Sequence, residues 1–152
     1  MSEHMIQTIP ELERYAREFL EGLVVKKQGA TVVGLSGDLG SGKTAFVKAI
    51  AKALEVNTEI VSPTFVIAKF YNLPAHSTWS RLVHVDAYRI EDPEEVRVLK
   101  WEDILADPKN LVMIEWPQQI GTFFPHDAEL LAFRFIDETT RAITSNELST
   151  SD

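Results

Sequence analysis

The octapeptide Gly37-Asp38-Leu39-Gly40-Ser41-Gly42-Lys43-Thr44 constrains this chain more than any other stretch. It satisfies G-x-x-x-x-G-K-[ST], a pattern that binds phosphate only between a strand and a helix, where backbone N–H groups converge at the positive helix end. Both flanks are present. Thr31 to Ser36 is short and mostly apolar, as a strand buried on two faces is. From Thr44 onward, Phe46, Val47, Ile50, Ala51 and Leu54 share one helical face, with Lys48 and Lys52 opposite. Average composition gives roughly one accidental match per few hundred chains of this length before context is counted. The glycines let the loop turn with positive φ, and a side chain at Gly42 is expected to obstruct it. Lys43 is expected to reach the β and γ phosphates, and the Thr44 hydroxyl to take one position around Mg²⁺. No Asn-Lys-x-Asp segment for reading guanine occurs, so the expected ligands are ATP or ADP with Mg²⁺.

The rest of the chain reads as alternating strands and helices. Thr8 and Glu11 form a capping-box pattern, and Leu12, Tyr15, Ala16, Phe19, Leu20 and Leu23 then recur at helical spacing, predicting a helix from Ile9 to Val24. Further strands are expected at Val66 to Tyr71, Leu82 to Asp86 and Leu111 to Glu115, with a capped acidic helix opening at Asp92-Pro93-Glu94-Glu95. Glu129 to Ile136 and Arg141 to Thr144, joined by Asp137 to Thr140, predict an antiparallel hairpin. The expected fold is a single α/β P-loop NTPase domain over residues 1–144, a three-layer sandwich with a mostly parallel central sheet and a C-terminal antiparallel hairpin. Its 152 residues and 45% hydrophobic content suffice for one core. The polar stretch Ser145 to Asp152 reads as a disordered tail.

Composition removes several classes of function. The absence of cysteine rules out disulfides, thiolate metal sites and cysteine nucleophiles. A formal charge of −8 repels phosphate backbones at long range, which disfavours direct nucleic-acid binding, though a single bound nucleotide needs only one Lys and a nest of amides. With no signal pattern and no long apolar run, a cytoplasmic protein without membrane association is expected.

Hydrolysis needs an anion near hydrated Mg²⁺ and a group that orients the attacking water. Asp86 and Glu115 each close a strand at its carboxyl end, where ligands of α/β sheets bind. Glu115 stands where a Walker B acid would, as a magnesium or water-positioning group. His84 and Asp86 share one strand face by the period of two, so both are candidates for a magnesium or base-orienting role. Tyr88, Arg89 and Trp116 are further candidates whose ordinary alternatives are a half-buried ring, a surface ion pair and a core-edge aromatic. Ser62-Pro63-Thr64-Phe65 can act as a switch if a Ser62 or Thr64 hydroxyl contacts Mg²⁺ or the γ-phosphate; the bland reading is a proline turn. Glu11 reads first as a cap and second as an adenine contact.

Taken in order, the P-loop, Ser62-Pro63-Thr64-Phe65, His84-Val85-Asp86-Ala87-Tyr88-Arg89, Asp92-Pro93-Glu94-Glu95 and Glu115-Trp116-Pro117 resemble the TsaE (YjeE) family, over about Glu11 to Ile143. That family is the ATPase component of the bacterial machinery that makes threonylcarbamoyladenosine in tRNAs reading codons that start with adenine. The resemblance implies magnesium binding by Thr44 and Glu115, support from Asp86 and a switch at Ser62 to Phe65. It also implies weak ATP hydrolysis, stimulated by the threonylcarbamoyl-transferase subunit (TsaD-like) and its paralogous partner (TsaB-like). Lys100, where related sequences commonly carry Gly, and the longer loop Pro74 to Ser80 depart from the pattern.

Two rivals stand beside this reading. A small-molecule P-loop kinase would need an Arg-bearing lid, for which the stretch between Asp86 and Glu115 offers only Arg89 and Arg97. A non-catalytic ATP-dependent switch would use the nucleotide merely to order a partner surface.

Overall fold

Seven strands form one sheet among the residues that the structure, a computed structural model, describes: 2–58, 60 and 67–146. They are β1 (Ser2–Ile6), β2 (Thr31–Ser36), β3 (Ala68–Asn72), β4 (Arg81–Asp86), β5 (Asn110–Glu115), β6 (Glu129–Asp137) and β7 (Thr140–Asn146), in the spatial order β1-β7-β6-β2-β5-β4-β3. Only the centre is parallel: β6, β2, β5 and β4 run together, whereas β3 on one side and β7 and β1 on the other pair antiparallel. The expectation of a mostly parallel sheet is therefore corrected to a mixed one. The β6–β7 hairpin was expected; the difference lies at β3, which returns to β4 without a crossover helix and so must pair antiparallel, and at the edge strand β1, antiparallel to β7.

The sheet carries two apolar layers. Helices α1 (Ile9–Gly22) and α2 (Lys43–Ala53) pack on one face through Leu12, Tyr15, Ala16, Phe46, Val47 and Ile50, against Val33, Leu35, Leu82, Leu111 and Met113. Helix α3 (Trp101–Ala106) and the 3-10 segments Pro93–Leu99 and Pro117–Phe123 cover the other face, over Val32, Val83, Val85, Val112 and Ile114. The strand residues thus divide between the layers by their alternation. Phe46, Val47 and Ile50 have no exposed surface, and burial of each contributes about 1.5–3 kcal/mol. This apolar face pins the start of α2, and with it the glycine turn, to the sheet.

Several expected boundaries shift. The Asp92 cap is a complete capping box, with Glu95 reaching back to the Asp92 amide, but the segment it opens is 3-10 rather than α-helical. That segment stops at Lys100, whose φ of 56° lies in the left-handed region. This explains why a glycine suits the position and shows that the lysine adopts the same turn. Strand β1 was not expected at all. Its residues lack apolar alternation, and register against β7, with Glu3 held by Arg134 at 3.2 Å, places it at the sheet edge. Strand β7 continues through Asn146, so Ser145 and Asn146 belong to the sheet rather than to a tail. Residues 147–152 lie outside the described part of the chain.

Candidate functional site

The glycine turn leaves β2 at Ser36 and enters α2 at Lys43. Gly37, Gly40 and Gly42 all have positive φ, at 142°, 76° and 108°. The tightest spot is Gly37, where an added Cβ would collide with the Phe133 carbonyl oxygen. At Gly42 a Cβ would meet nothing closer than 3.9 Å, so what selects glycine there is the backbone angle rather than the crowding expected from sequence. The Lys43 ammonium is folded under the loop, donating to the Gly37 carbonyl and, at 3.3 Å, to that of Asp38. It also lies 3.8 Å from the centre of the Trp116 ring. Burial pulls its pKa below the ordinary lysine value, against the opposite pull of Glu115, Asp86 and Asp38.

The acids come together as the strand ends predict. Asp86 and Glu115 are register partners on β4 and β5. Glu115 is almost fully buried, and both its oxygens lie 3.0 Å from the Thr44 hydroxyl. His84 approaches from beneath, its Nε2 2.7 Å from Oε2 of Glu115. Asp86 accepts the Tyr88 amide at 3.0 Å. Trp116 follows Glu115 with φ 61° and ψ 51°, a left-handed conformation rare for a bulky residue and disfavoured again by Pro117. That backbone turn lays the indole beside Lys43 and 5.0 Å from the Tyr88 ring.

Lys43, Thr44, Asp86, Tyr88, Glu115 and Trp116 line a cleft of about 690 Å³, within the size range of small-ligand sites. The same cleft is walled by parts of the chain that no motif marks: Ile6 and Gln7 at the end of β1, Ile9 and Leu12 on α1, and Phe133, Thr139, Arg141 and Ile143 on the hairpin. Arg141 ties this hairpin to the glycine turn, donating to the Gly40 carbonyl at 3.2 Å and to the Asp137 carbonyl at 2.6 Å.

The family profile described as "Threonylcarbamoyl adenosine biosynthesis protein TsaE" matches residues 7–143, nearly the whole described chain. The chain belongs to the TsaE family. TsaE of Rickettsia bellii is 35% identical over 136 residues, covering 89% of this chain and 90% of its own length. TsaE of Mycobacterium bovis is 35% identical over 120 residues, 76% of this chain and 67% of its own. Each is named as a tRNA threonylcarbamoyladenosine biosynthesis protein. The crystal structure of Bacillus subtilis YdiB superposes with a TM-score of 0.68 at 23% identity, covering 99% of this chain and 87% of that one, and so shares the fold.

Within this TsaE chain the other sequence candidates fall as follows. Leu39, Gly40, Ser41, Gly42, Lys43, Thr44, Asp86, Tyr88, Glu115 and Trp116 line the cleft, whereas the exposed Arg89 does not. Asp38 is also off the wall, and its carbonyl serves Lys43. Glu11 is not a wall residue either: its carboxylate accepts the Gln7 amide at 3.2 Å while its own amide donates to Thr8 at 3.2 Å. The capping reading of Glu11 therefore holds, and its neighbours Gln7, Thr8, Ile9 and Leu12 face the cleft instead. Ser62 and Thr64 lie outside the described residues. Arg141 and the hairpin wall were missed because their nearness to the turn arises only from the pairing of β6 with β2.

Proposed function

We propose that this TsaE-family chain is a magnesium-dependent ATPase subunit of the machinery that forms threonylcarbamoyladenosine in tRNA, with weak turnover alone. One observation carries the enzymatic part. The Thr44 hydroxyl and the Glu115 carboxylate meet at 3.0 Å at the start of α2, beside the Lys43 ammonium and in the wall of a single cleft.

The groups at that point suit Mg²⁺. Thr44, Glu115 and Asp86 offer hard oxygen donors, and among the described residues no three His, Cys, Asp or Glu side chains gather into an all-protein cage. A cation held by these oxygens would take its remaining ligands from phosphate and water, the usual way Mg²⁺ is bound. When bound, Mg²⁺ would offset the charge that gathers on the phosphate oxygens during transfer.

The chain's own residues would do the rest. Lys43 exchanges the Gly37 and Asp38 carbonyls for phosphate oxygens, and the first amides of α2 add their dipole. Glu115, with Asp86 on the neighbouring strand, orients a water for in-line attack on the γ-phosphorus. A P–O bond forms to that water, the bond to the β-phosphate oxygen breaks, and a carboxylate takes up the proton. The base would enter between Ile9, Leu12, Phe133 and Ile143.

Family membership supports placing this activity in tRNA modification, with TsaD-like and TsaB-like subunits as partners, and the charge of −8 favours a protein partner over direct tRNA contact. The test is magnesium-dependent phosphate release from ATP by the purified chain, alone and with the two subunits, beside Glu115→Ala. Stimulation that disappears in the variant supports the reading. Turnover equal to the variant's under all conditions would leave a non-catalytic switch.

A further inference from the structure

His84 is a fully buried titratable side chain to which the hydrolytic reading assigns no part. It stands on β4 opposite Met113 of β5, on the face that packs toward α2, where Leu82, Leu111 and Met113 are apolar. A residue chosen only to fill that layer would be apolar as well. Among the described residues the Nδ1 of His84 has no hydrogen-bond partner, so the imidazole is buried at a desolvation cost that packing alone does not return. What offsets that cost is the 2.7 Å contact between Nε2 and Oε2 of Glu115.

The geometry around Glu115 gives this contact a purpose. Thr44 lies 3.0 Å from each carboxylate oxygen and does not distinguish them. His84 does, because it reaches Oε2 alone. We propose that His84 is a positioning residue: its Nε2–H commits Oε2 of Glu115, stops the carboxylate from rotating, and leaves Oε1 as the oxygen available to a metal or water in the cleft. Such support of a metal-binding carboxylate from behind is commonly worth 10- to 100-fold in metal affinity. The proposal rests on the reading of Glu115 as a magnesium or water-orienting group.

The test compares His84→Gln, whose amide nitrogen can occupy the Nε2 position, with His84→Leu, which fills the space without a donor, and His84→Asn, whose amide falls short. Mn²⁺ serves as the probe, with its half-saturation of the protein–ADP complex read by electron paramagnetic resonance. Metal-free ADP affinity, thermal unfolding, and kcat and KM for ATP are measured alongside. His84→Leu and His84→Asn are expected to raise the Mn²⁺ half-saturation roughly tenfold or more and to lower kcat. Metal-free ADP affinity should stay within about twofold, and His84→Gln should recover most of the loss. If His84→Leu fails to fold, the contrast between Gln and Asn decides. Equal losses in Gln and Asn, or no loss in either, overturn the proposal. Glu115→Gln separates the two levels: if it too leaves Mn²⁺ affinity and kcat unchanged, the reading of Glu115 fails and the proposal fails with it. If Glu115→Gln is impaired and the His84 variants are not, only the proposal fails.

Discussion

Thr44 and Glu115, 71 residues apart in the chain, are joined by a hydroxyl equidistant at 3.0 Å from both oxygens of a nearly buried carboxylate. Lys43, the neighbour of Thr44, lies in the field of the same carboxylate but donates its hydrogen bonds to the carbonyls of its own loop. On the proposed reading, holding phosphate and organising metal or water fall to adjacent residues with different hydrogen-bond partners. Glu115→Ala is expected to lower kcat about 10²-fold or more while the ATP Kd changes little. Lys43→Ala removes a charged donor worth about 1.5–3 kcal/mol and should weaken ATP about 10- to 150-fold. Calorimetry paired with single-turnover hydrolysis checks both, and equal binding loss in the two variants refutes the division.

Trp116 shares Lys43 with the loop carbonyls. A polyphosphate that draws the ammonium away removes a cation from the indole face. The chain has three tryptophans, but Trp79 and Trp101 are buried and bonded elsewhere, to Thr31 and to the Phe123 carbonyl. Titration with ATP should therefore change the tryptophan emission, and Trp116→Phe should abolish the change while leaving binding measurable by calorimetry. A signal that persists in the variant would place the perturbed indole elsewhere.

The glycines of the turn should separate by mechanism. Gly37→Ala combines a φ of 142° with a clash against the Phe133 backbone, so it is expected to cost about 2–4 kcal/mol of stability. Gly42→Ala has room for its Cβ and meets only the strain of φ 108°, about 1–2 kcal/mol. Chemical denaturation measures the difference; a larger loss at Gly42 would contradict the contact geometry.

Acid should loosen the hairpin tip that closes the cleft. The backbone and side chain of Thr139 donate to Asp137 and hold its carboxyl below the ordinary value of 3.8. Because the folded pKa is the lower one, the stabilisation is complete above 3.8 and is lost as pH falls through the depressed folded value. An NMR titration of the Asp137 carboxyl should give a midpoint below that of an unstructured aspartate. Asp137→Asn should flatten the acid dependence of the Thr139 amide; a midpoint at or above the ordinary value would remove this turn as a source of acid sensitivity.

Legibility in the sequence followed the range of the interaction. The phosphate turn, its flanking strand and helix, the Asp92 cap and the hairpin all depend on residues a few positions apart, and all are present. The placement of Asp86 and Glu115 at the carboxyl ends of strands was also readable, since strand termination locates a side chain along the sheet axis, but that the two strands are neighbours came only from the sheet order. Strand β1 was not readable: its polar residues carry no alternation, and β7 supplies what orders it. The antiparallel sense of β3 was missed because it depends on a short return pairing with β4.

By itself the sequence determined the glycine turn between strand and helix, the alternation of helix and strand, and the acids at the strand ends, because each is set by local backbone geometry and side-chain periodicity. Only the tertiary structure decided that His84 reaches Glu115 from beneath, that Trp116 turns its indole onto Lys43, and that the hairpin and the start of α1 help wall the cleft. Those contacts join residues tens of positions apart, and their distances follow from strand order and register, which no local pattern encodes.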